Sequence, residues 1–334
     1  MDCCITISMR LAPLAAALLV LLPAPASADG CKLSQVASLA LATAADGEPV
    51  LPVKIDGTPV NLRLDLNEPF SFLTSGAAAQ LKLAPADAKN APEIVFRERA
   101  EKRGIFTGDV SVVTVPEMAV GPLTVRNQGV YSASGVTFAN GISGGLGLDI
   151  LGHYDIELDL AKNRLNLFDP DHCPGQVVYW THQPVGIVDI EAMPGGTFHY
   201  SFSLDGKEIG AFITPENPQT LLAFPTAHEQ FALTHESKGV VPAGTSATAG
   251  ALYRYPFKSL DANGLGLANP AVYLSGDENN DMVCDSKAHE RGINHGYRCR
   301  GDAGLKIGLH ELRALHLFFD FSEKKLYVSA ANAN

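Results

Sequence analysis

Charges, aromatic rings and long apolar runs are all scarce in this chain, and each shortage excludes something. Charged residues make up 18% of its 334 residues and aromatic residues 7%, with a single tryptophan. A formal net charge of −11 argues against a nucleic acid or an anionic membrane surface as the main target. The apolar run Leu11 to Leu22 is too short to span a bilayer. Gly141-Ile142-Ser143-Gly144-Gly145 is followed by no Lys-Ser/Thr, so it is not a phosphate loop. It spells G-x-S-x-G, but that motif needs an α/β sheet around it. In β-rich surroundings it reads as a glycine loop ahead of a strand. Asp277-Glu278-Asn279-Asn280-Asp281 has the oxygen spacing of a calcium loop but lacks the central Gly, and Ala288 stands where the closing Glu belongs. It reads as a solvated loop. No metal and no cofactor is expected.

What the chain does contain is a repeat. Residues 53–73 read VKIDGTPVNLRLDLNEPFSFL and residues 202–222 read FSLDGKEIGAFITPENPQTLL. Laid over each other without a gap, Asp56-Gly57 falls on Asp205-Gly206, Pro69 on Pro218 and Asp65 on Thr214, all at an offset of 149. A second pair closes each half, GLGLDILGHYDIELDLAKNRLNLF at 145–168 and GLKIGLHELRALHLFFDFSEKKLYV at 304–328. There Gly147 meets Gly308, Leu151 meets Leu312, Asp159 meets Asp320 and Leu165 meets Leu326, at an offset of 161. Two copies of one unit pair into lobes and do not stack into a solenoid.

Each opening segment alternates around an Asp-Gly turn, the signal of a hairpin. Each closing segment begins helix-like (Leu148 to Tyr154), runs into a strand, turns at Ala161-Lys162-Asn163 and continues as a second strand. Further strand-like runs lie at Val110–Val115, Leu123–Val130, Ala251–Pro256 and Ala271–Leu274. Short strands punctuated by Gly, Pro and Asn predict an all-β fold.

In this order the four segments resemble the bilobal aspartic proteases, pepsin-like in having two lobes and retropepsin-like in the brevity of each. The residues that carry the resemblance are Leu62-Arg63-Leu64-Asp65 with Ser71-Phe72-Leu73, then Leu146-Gly147-Leu148-Asp149-Ile150-Leu151 and Ile307-Gly308-Leu309-His310-Glu311-Leu312. The resemblance implies a two-lobed acid-protease fold made by internal duplication, with lobes at 29–172 and 173–334. It also implies a cleft that holds an extended peptide as an added strand, and a monomer. Asp149 would then be structural.

The chain departs from that family where the chemistry sits. An aspartic protease needs two carboxylates about 3 Å apart sharing one proton. Here the first lobe keeps Asp65 and the second has Thr214, which supplies neither charge nor acidity. Leu66 replaces the hydroxyl residue that joins the two loops, and Asn67 replaces a glycine, a place where Asn's tolerance of left-handed dihedrals would help. Pro215 and Glu216 fill the matching positions of the second lobe. Two readings follow. In one, Asp65 is vestigial and the protein is a degenerate protease that binds a peptide or partner. In the other it is an endopeptidase, with Asp65 as base and Glu216 as the second carboxylate. The loss of Asp at 214, with Leu66 and Asn67, favours the first.

Residues 1–28 read as a signal peptide: Arg10, then the apolar run, then Ala26-Ser27-Ala28 ahead of a cut before Asp29. The mature protein is expected to be exported, periplasmic or secreted, with no membrane association. A lipoprotein reading at Cys31 is weakened by its approach, Ala28-Asp29-Gly30. Cleavage removes Cys3 and Cys4 and leaves Cys31, Cys173, Cys284 and Cys299. They are expected to form two disulfides, with Cys284–Cys299 and Cys31–Cys173 favoured among the three pairings. A zinc set of Cys284, His289, His295 and Cys299 fits no common module. Val177-Val178-Tyr179-Trp180 reads as a buried linking strand, and His310 and His316, outside any cluster in the sequence, as surface or satisfied core histidines.

Overall fold

The computed structural model describes residues 32–86, 110–138, 141–193, 196–246, 249–276 and 304–332. The signal segment, Cys31, the Asp277–Asp281 loop and the set Cys284, His289, His295 and Cys299 lie outside these residues. Residues from Lys32 onward form one unit, mostly β, with four short helices among the described residues. None of those helices is long and apolar enough to cross a membrane.

Both predicted hairpins are present. Strands Pro49–Ile55 and Thr58–Leu64 pair across Asp56-Gly57, and strands Thr197–Leu204 and Lys207–Thr214 pair across Asp205-Gly206. The turn residues have φ of 47° and 77° in the first, and 47° and 76° in the second. Two positive φ values make a turn whose twist matches that of the flanking strands, and Asp-Gly supplies them at little steric cost. Alternation then buries Leu51, Val53, Ile55, Leu62 and Leu64 in one hairpin, and Phe202, Leu204, Ile209, Ala211 and Ile213 in the other.

The closing segments thread through the loops that follow these hairpins. Strand Ile142–Leu146 pairs parallel with Thr58–Leu64 and antiparallel with Phe72–Thr74. Strand Leu305–Gly308 does the same with Lys207–Thr214 and Thr220–Ala223. Each therefore lies between the two strands that flank the loop carrying Asp65 or Thr214. The glycine at its end is required by a close approach. A Cβ on Gly147 would lie 2.6 Å from the Phe70 carbonyl carbon, and one on Gly308 2.2 Å from the Gln219 oxygen. The Gly141–Gly145 segment, expected as a loop, is mostly strand, because Gly144 and Gly145 occupy the crowded register against Phe72 and Leu73.

The helices Leu148–Leu151 and Leu309–Leu312 follow, then the strand pairs Asp155–Asp159 with Arg164–Phe168 and Leu315–Asp320 with Lys325–Ala330. This is the element order that the resemblance implies for each lobe. One eight-stranded sheet belongs to the first lobe, and a second, 15-stranded sheet contains strands of both. At the join, Ile156 pairs with Phe319, Glu157 with Phe318 and Leu158 with Leu317. Leu158 and Phe319 are repeat equivalents, as are Ile156 and Leu317. The pairing is thus symmetric about Glu157 and Phe318, and one apolar core draws on both halves.

One expectation fails at the connector. Val177–Trp180 is not a strand: Val177 is buried, but Tyr179 is 54% exposed. The segment is placed by side-chain bonds, with Trp180 Nε1 donating to Ser329 Oγ at 2.9 Å and Tyr179 Oη donating to Glu157 Oε2 at 2.5 Å. His316 is a satisfied core histidine, as expected. It is buried, its Nε2 lies 2.7 Å from Glu157 Oε1, and the Trp180 ring stacks on it with centroids 4.5 Å apart. Asn166 Nδ2 gives Glu157 a third bond at 2.7 Å. His310 is exposed, as a lone surface histidine would be.

Burial raises the Glu157 carboxyl, but the bonds from His316, Tyr179 and Asn166 outweigh it and hold the group below the ordinary glutamate value. A depressed folded-state pKa contributes stability that is present above the unfolded value and lost as pH falls through the folded one. Replacement by Gln sets an amide donor against donors. Glu157→Gln should therefore cost about 3 kcal/mol near neutral pH, and the gap from wild type should shrink as pH falls below the ordinary glutamate range. Thermal unfolding of both proteins across that range checks it.

Candidate functional site: the paired loops at Asp65 and Thr214

Strand Thr58–Leu64 delivers Asp65 to the first loop, where its N–H donates to Leu146 O at 3.1 Å. Its Oδ1 accepts the N–H of Asn67 at 3.2 Å and of Glu68 at 3.1 Å. This turn orients the carboxylate through the backbone, a pattern that suits Asp. Asp65 is 7% exposed, and Leu66 behind it is buried in the core.

Asn67 connects the two loops. Its Nδ2 donates to Ile213 O, beside Thr214, at 2.6 Å. The left-handed conformation expected at this position does not occur, since Asn67 is not among the positive-φ residues. What the position uses is the side-chain amide, which makes the inter-loop bond that Leu66 cannot.

On the other side Thr214 is 3% exposed and donates its hydroxyl to Ile307 O at 2.9 Å. It supplies no acid. Glu216, two residues on, is half-buried as a residue, but its Oε2 is sealed from solvent without a hydrogen-bond partner. Burial, then the charge of Asp65, pushes its carboxyl up to about 8, with Arg63 opposing. Near neutral pH Glu216 therefore carries its proton. The structure brings Asp65 and Glu216 into electrostatic contact and gives Thr214 a purely structural bond.

Arg63 and Glu48 also belong to this group, and neither was singled out from the sequence. Arg63 Nε lies 2.8 Å from Glu48 Oε1, and its guanidinium stands 4.8 Å from the centre of the Phe138 ring. Burial works against the Arg63 charge, but Glu48 and then Glu216 outweigh it and hold the pKa above the ordinary value. Burial raises Glu48 in spite of Arg63. The available signal was an arginine between Leu62 and Leu64, in a strand where a half-buried cation needs carboxylates.

A second pair of bonds holds each loop from below. Ser71 Oγ donates to Asp149 Oδ1 at 2.6 Å and accepts Gly147 N–H at 2.9 Å. In the second lobe Thr220, the equivalent of Ser71, donates to Glu311 Oε2 and accepts Gly308 N–H at 2.9 Å. Asp149 is structural, as expected. Its counterpart is Glu311, which also accepts Ala271 N–H at 2.9 Å. Beside the second loop, Pro218, Gln219, Arg254, Ala271, Tyr273 and His310 line a hollow of about 300 Å3.

No family model matches the chain, and no curated protein matches it. Among solved structures it is similar to the basic 7S globulin from soybean, at 13% identity and a TM-score of 0.45 over 90% of this chain and 96% of that one. It is similar to an aspartic proteinase from Irpex lacteus, at 13% identity and a TM-score of 0.49 over 89% and 98%. A retropepsin-like aspartic protease from Rickettsia conorii is similar at 14% identity and a TM-score of 0.26, over 42% of this chain and 94% of that one. The two-lobed all-β architecture stands on the duplicated pairing described above.

Truncating Asn67 removes the inter-loop bond and leaves the Ile213 carbonyl buried without it. Asn67→Ala should cost about 1–3 kcal/mol in urea unfolding, and Asn67→Asp no less, because it sets a carboxylate against a carbonyl. Unchanged stability in both would mean the bond contributes nothing.

Proposed function

We propose that this protein is an exported, non-hydrolytic member of the aspartic-protease fold that keeps the region between its lobes for binding an extended peptide. The observation that carries the reading is the inward commitment of the second-lobe loop. Thr214 gives its hydroxyl to Ile307, and Glu216 Oε2 is closed off from solvent. A general acid must reach the substrate oxygen through a hydrogen bond, and a sealed carboxyl does not present one. Thr214, at the position matching Asp65, is not an acid and cannot polarise a carbonyl.

An extended peptide fits the architecture because strands flank the loops and main-chain pairing needs no particular side chains. Export is supported by the leader-like residues 1–28 and by the four cysteines left after their removal, an even number that suits disulfides in an oxidising compartment.

One observation favours the active alternative. The Asp65 charge helps to hold the proton on Glu216, the electrostatic relation of a carboxyl pair sharing one proton. If a bound peptide opened Glu216 to the cleft, that pair could act. Digestion of a diverse peptide pool between about pH 3 and pH 8, read by mass spectrometry beside Asp65→Ala and Glu216→Gln, decides between the two. The non-hydrolytic reading expects no cut that depends on either residue. Cuts abolished by both substitutions would establish an endopeptidase with a Glu as its second acid.

A further inference from the structure

Away from the loops, where the two lobes share a sheet, three buried side chains converge. Asp155 begins strand Asp155–Asp159, Asp320 ends strand Leu315–Asp320, and His172 lies in the connector just before Cys173. One ligand atom from each lies within 4.8 Å of the other two. Side-chain exposure is 1% for His172 and 0% for both aspartates. His172 Nε2 is 2.7 Å from Asp155 Oδ2 and 3.6 Å from Asp320 Oδ2. Asp320 Oδ2 is buried with no hydrogen-bond partner.

The groups around these atoms are arranged as a supporting shell. Asp155 Oδ1 accepts Phe321 N–H at 3.0 Å, and Asp320 Oδ1 accepts Ser322 Oγ–H at 2.9 Å and Glu323 N–H at 2.8 Å. Each carboxylate is therefore fixed through one oxygen and aims the other at the centre. His172 Nδ1 lies 3.2 Å from Cys173 O. A carbonyl only accepts, so Nδ1 carries the proton in that bond. Nε2 hydrogen-bonds to Asp155 Oδ2 at 2.7 Å, and a cation bound here would take the place of the proton between them. A ring N–H given to a backbone carbonyl, with the far nitrogen turned toward the site, is how ligating histidines are oriented.

Charge points the same way. Two carboxylates with a neutral histidine leave two uncompensated negative charges in a fully buried place, and an imidazolium would still leave one. Such a cluster needs retained protons or a cation to balance it. A divalent cation brings the sum to zero. We propose that Asp155, His172 and Asp320 form a buried divalent-metal site of the zinc class, which ties the connector to the closing strands of both lobes. One imidazole and two carboxylates suit Zn2+, with a fourth position for water. Zinc bonds of about 2.0–2.2 Å in a tetrahedral site set ligand atoms roughly 3.3 Å apart. The 3.6 Å spacing is near that, and the 2.7 Å one has to open slightly. This departs from the metal-free expectation drawn from the sequence. The site rests on none of the residues assigned to peptide binding.

The mature protein, purified without added metal, would be assayed for bound zinc by plasma mass spectrometry, then stripped with a chelator and titrated with Zn2+ alone. The expected result is one equivalent per chain and a rise in Tm of about 5 °C at a hundredfold excess over Kd. Asp320→Asn, nearly isosteric and still able to accept from Ser322, should lose that equivalent while keeping the wild-type circular dichroism spectrum. His172→Gln should lose it as well. The double variant His289→Ala/His295→Ala should keep it, which separates this site from the Cys284–Cys299 region. Folded wild type that neither retains nor binds zinc overturns the proposal. So does a folded Asp320→Asn protein that binds as wild type does, or loss of the zinc in the His289/His295 variant.

Discussion

Strand Asp155–Asp159 and strand Leu315–Asp320 pair about Glu157 and Phe318, and at that seam two copies of one unit become a single structure. Sharing a sheet lets one core run through both. The cost falls on the polar residues the duplication has placed there. Asp155, Glu157, Asp159, His316 and Asp320 are all buried on the two central strands, so each needs a partner inside the protein. The connector supplies several. Tyr179 reaches Glu157, Trp180 covers His316, and His172 meets Asp155. Its irregular course between Cys173 and Trp180 follows from that work and not from its own propensity.

The same symmetry brings the Asp65 and Thr214 loops together, and there the two copies have diverged unequally. The supports are kept in both: Ser71 with Asp149 beneath one loop, Thr220 with Glu311 beneath the other, and a glycine against each. The residues between those supports differ. Thr214 is tied to a carbonyl, and the nearby Glu216 is enclosed, its carboxyl raised by burial and by Asp65. Asn67 provides a cross-loop bond from a different residue than the resemblance would lead one to expect.

What could be read from the sequence was what is local or repeated. The Asp-Gly turns, the closing Gly147 and Gly308 and the pairing of Asp65 with Thr214 declare themselves through spacing, because hairpin geometry fixes register within a few residues. The charged clusters could not be read, because they join residues far apart in the chain. His316 meets Glu157 across 159 positions, and Asp155 meets Phe321 across 166. Composition also misled in two places. Glycines at 144 and 145 signal a loop but serve a crowded strand, and the apolar run Val177–Trp180 signals a strand but packs as irregular chain. In both, tertiary contacts decide the conformation that local preference would assign otherwise.

The chemistry of the second loop depends on Glu216 being buried and protonated beside Asp65. A 13C titration of the Glu216 carboxyl by NMR, in the wild type and in Asp65→Asn, tests this. The midpoint should lie at about 8 in the wild type and lower once the Asp65 charge is gone. A midpoint at the ordinary glutamate value of about 4.3, unmoved by Asp65→Asn, would show a solvated Glu216 independent of Asp65 and would contradict that state.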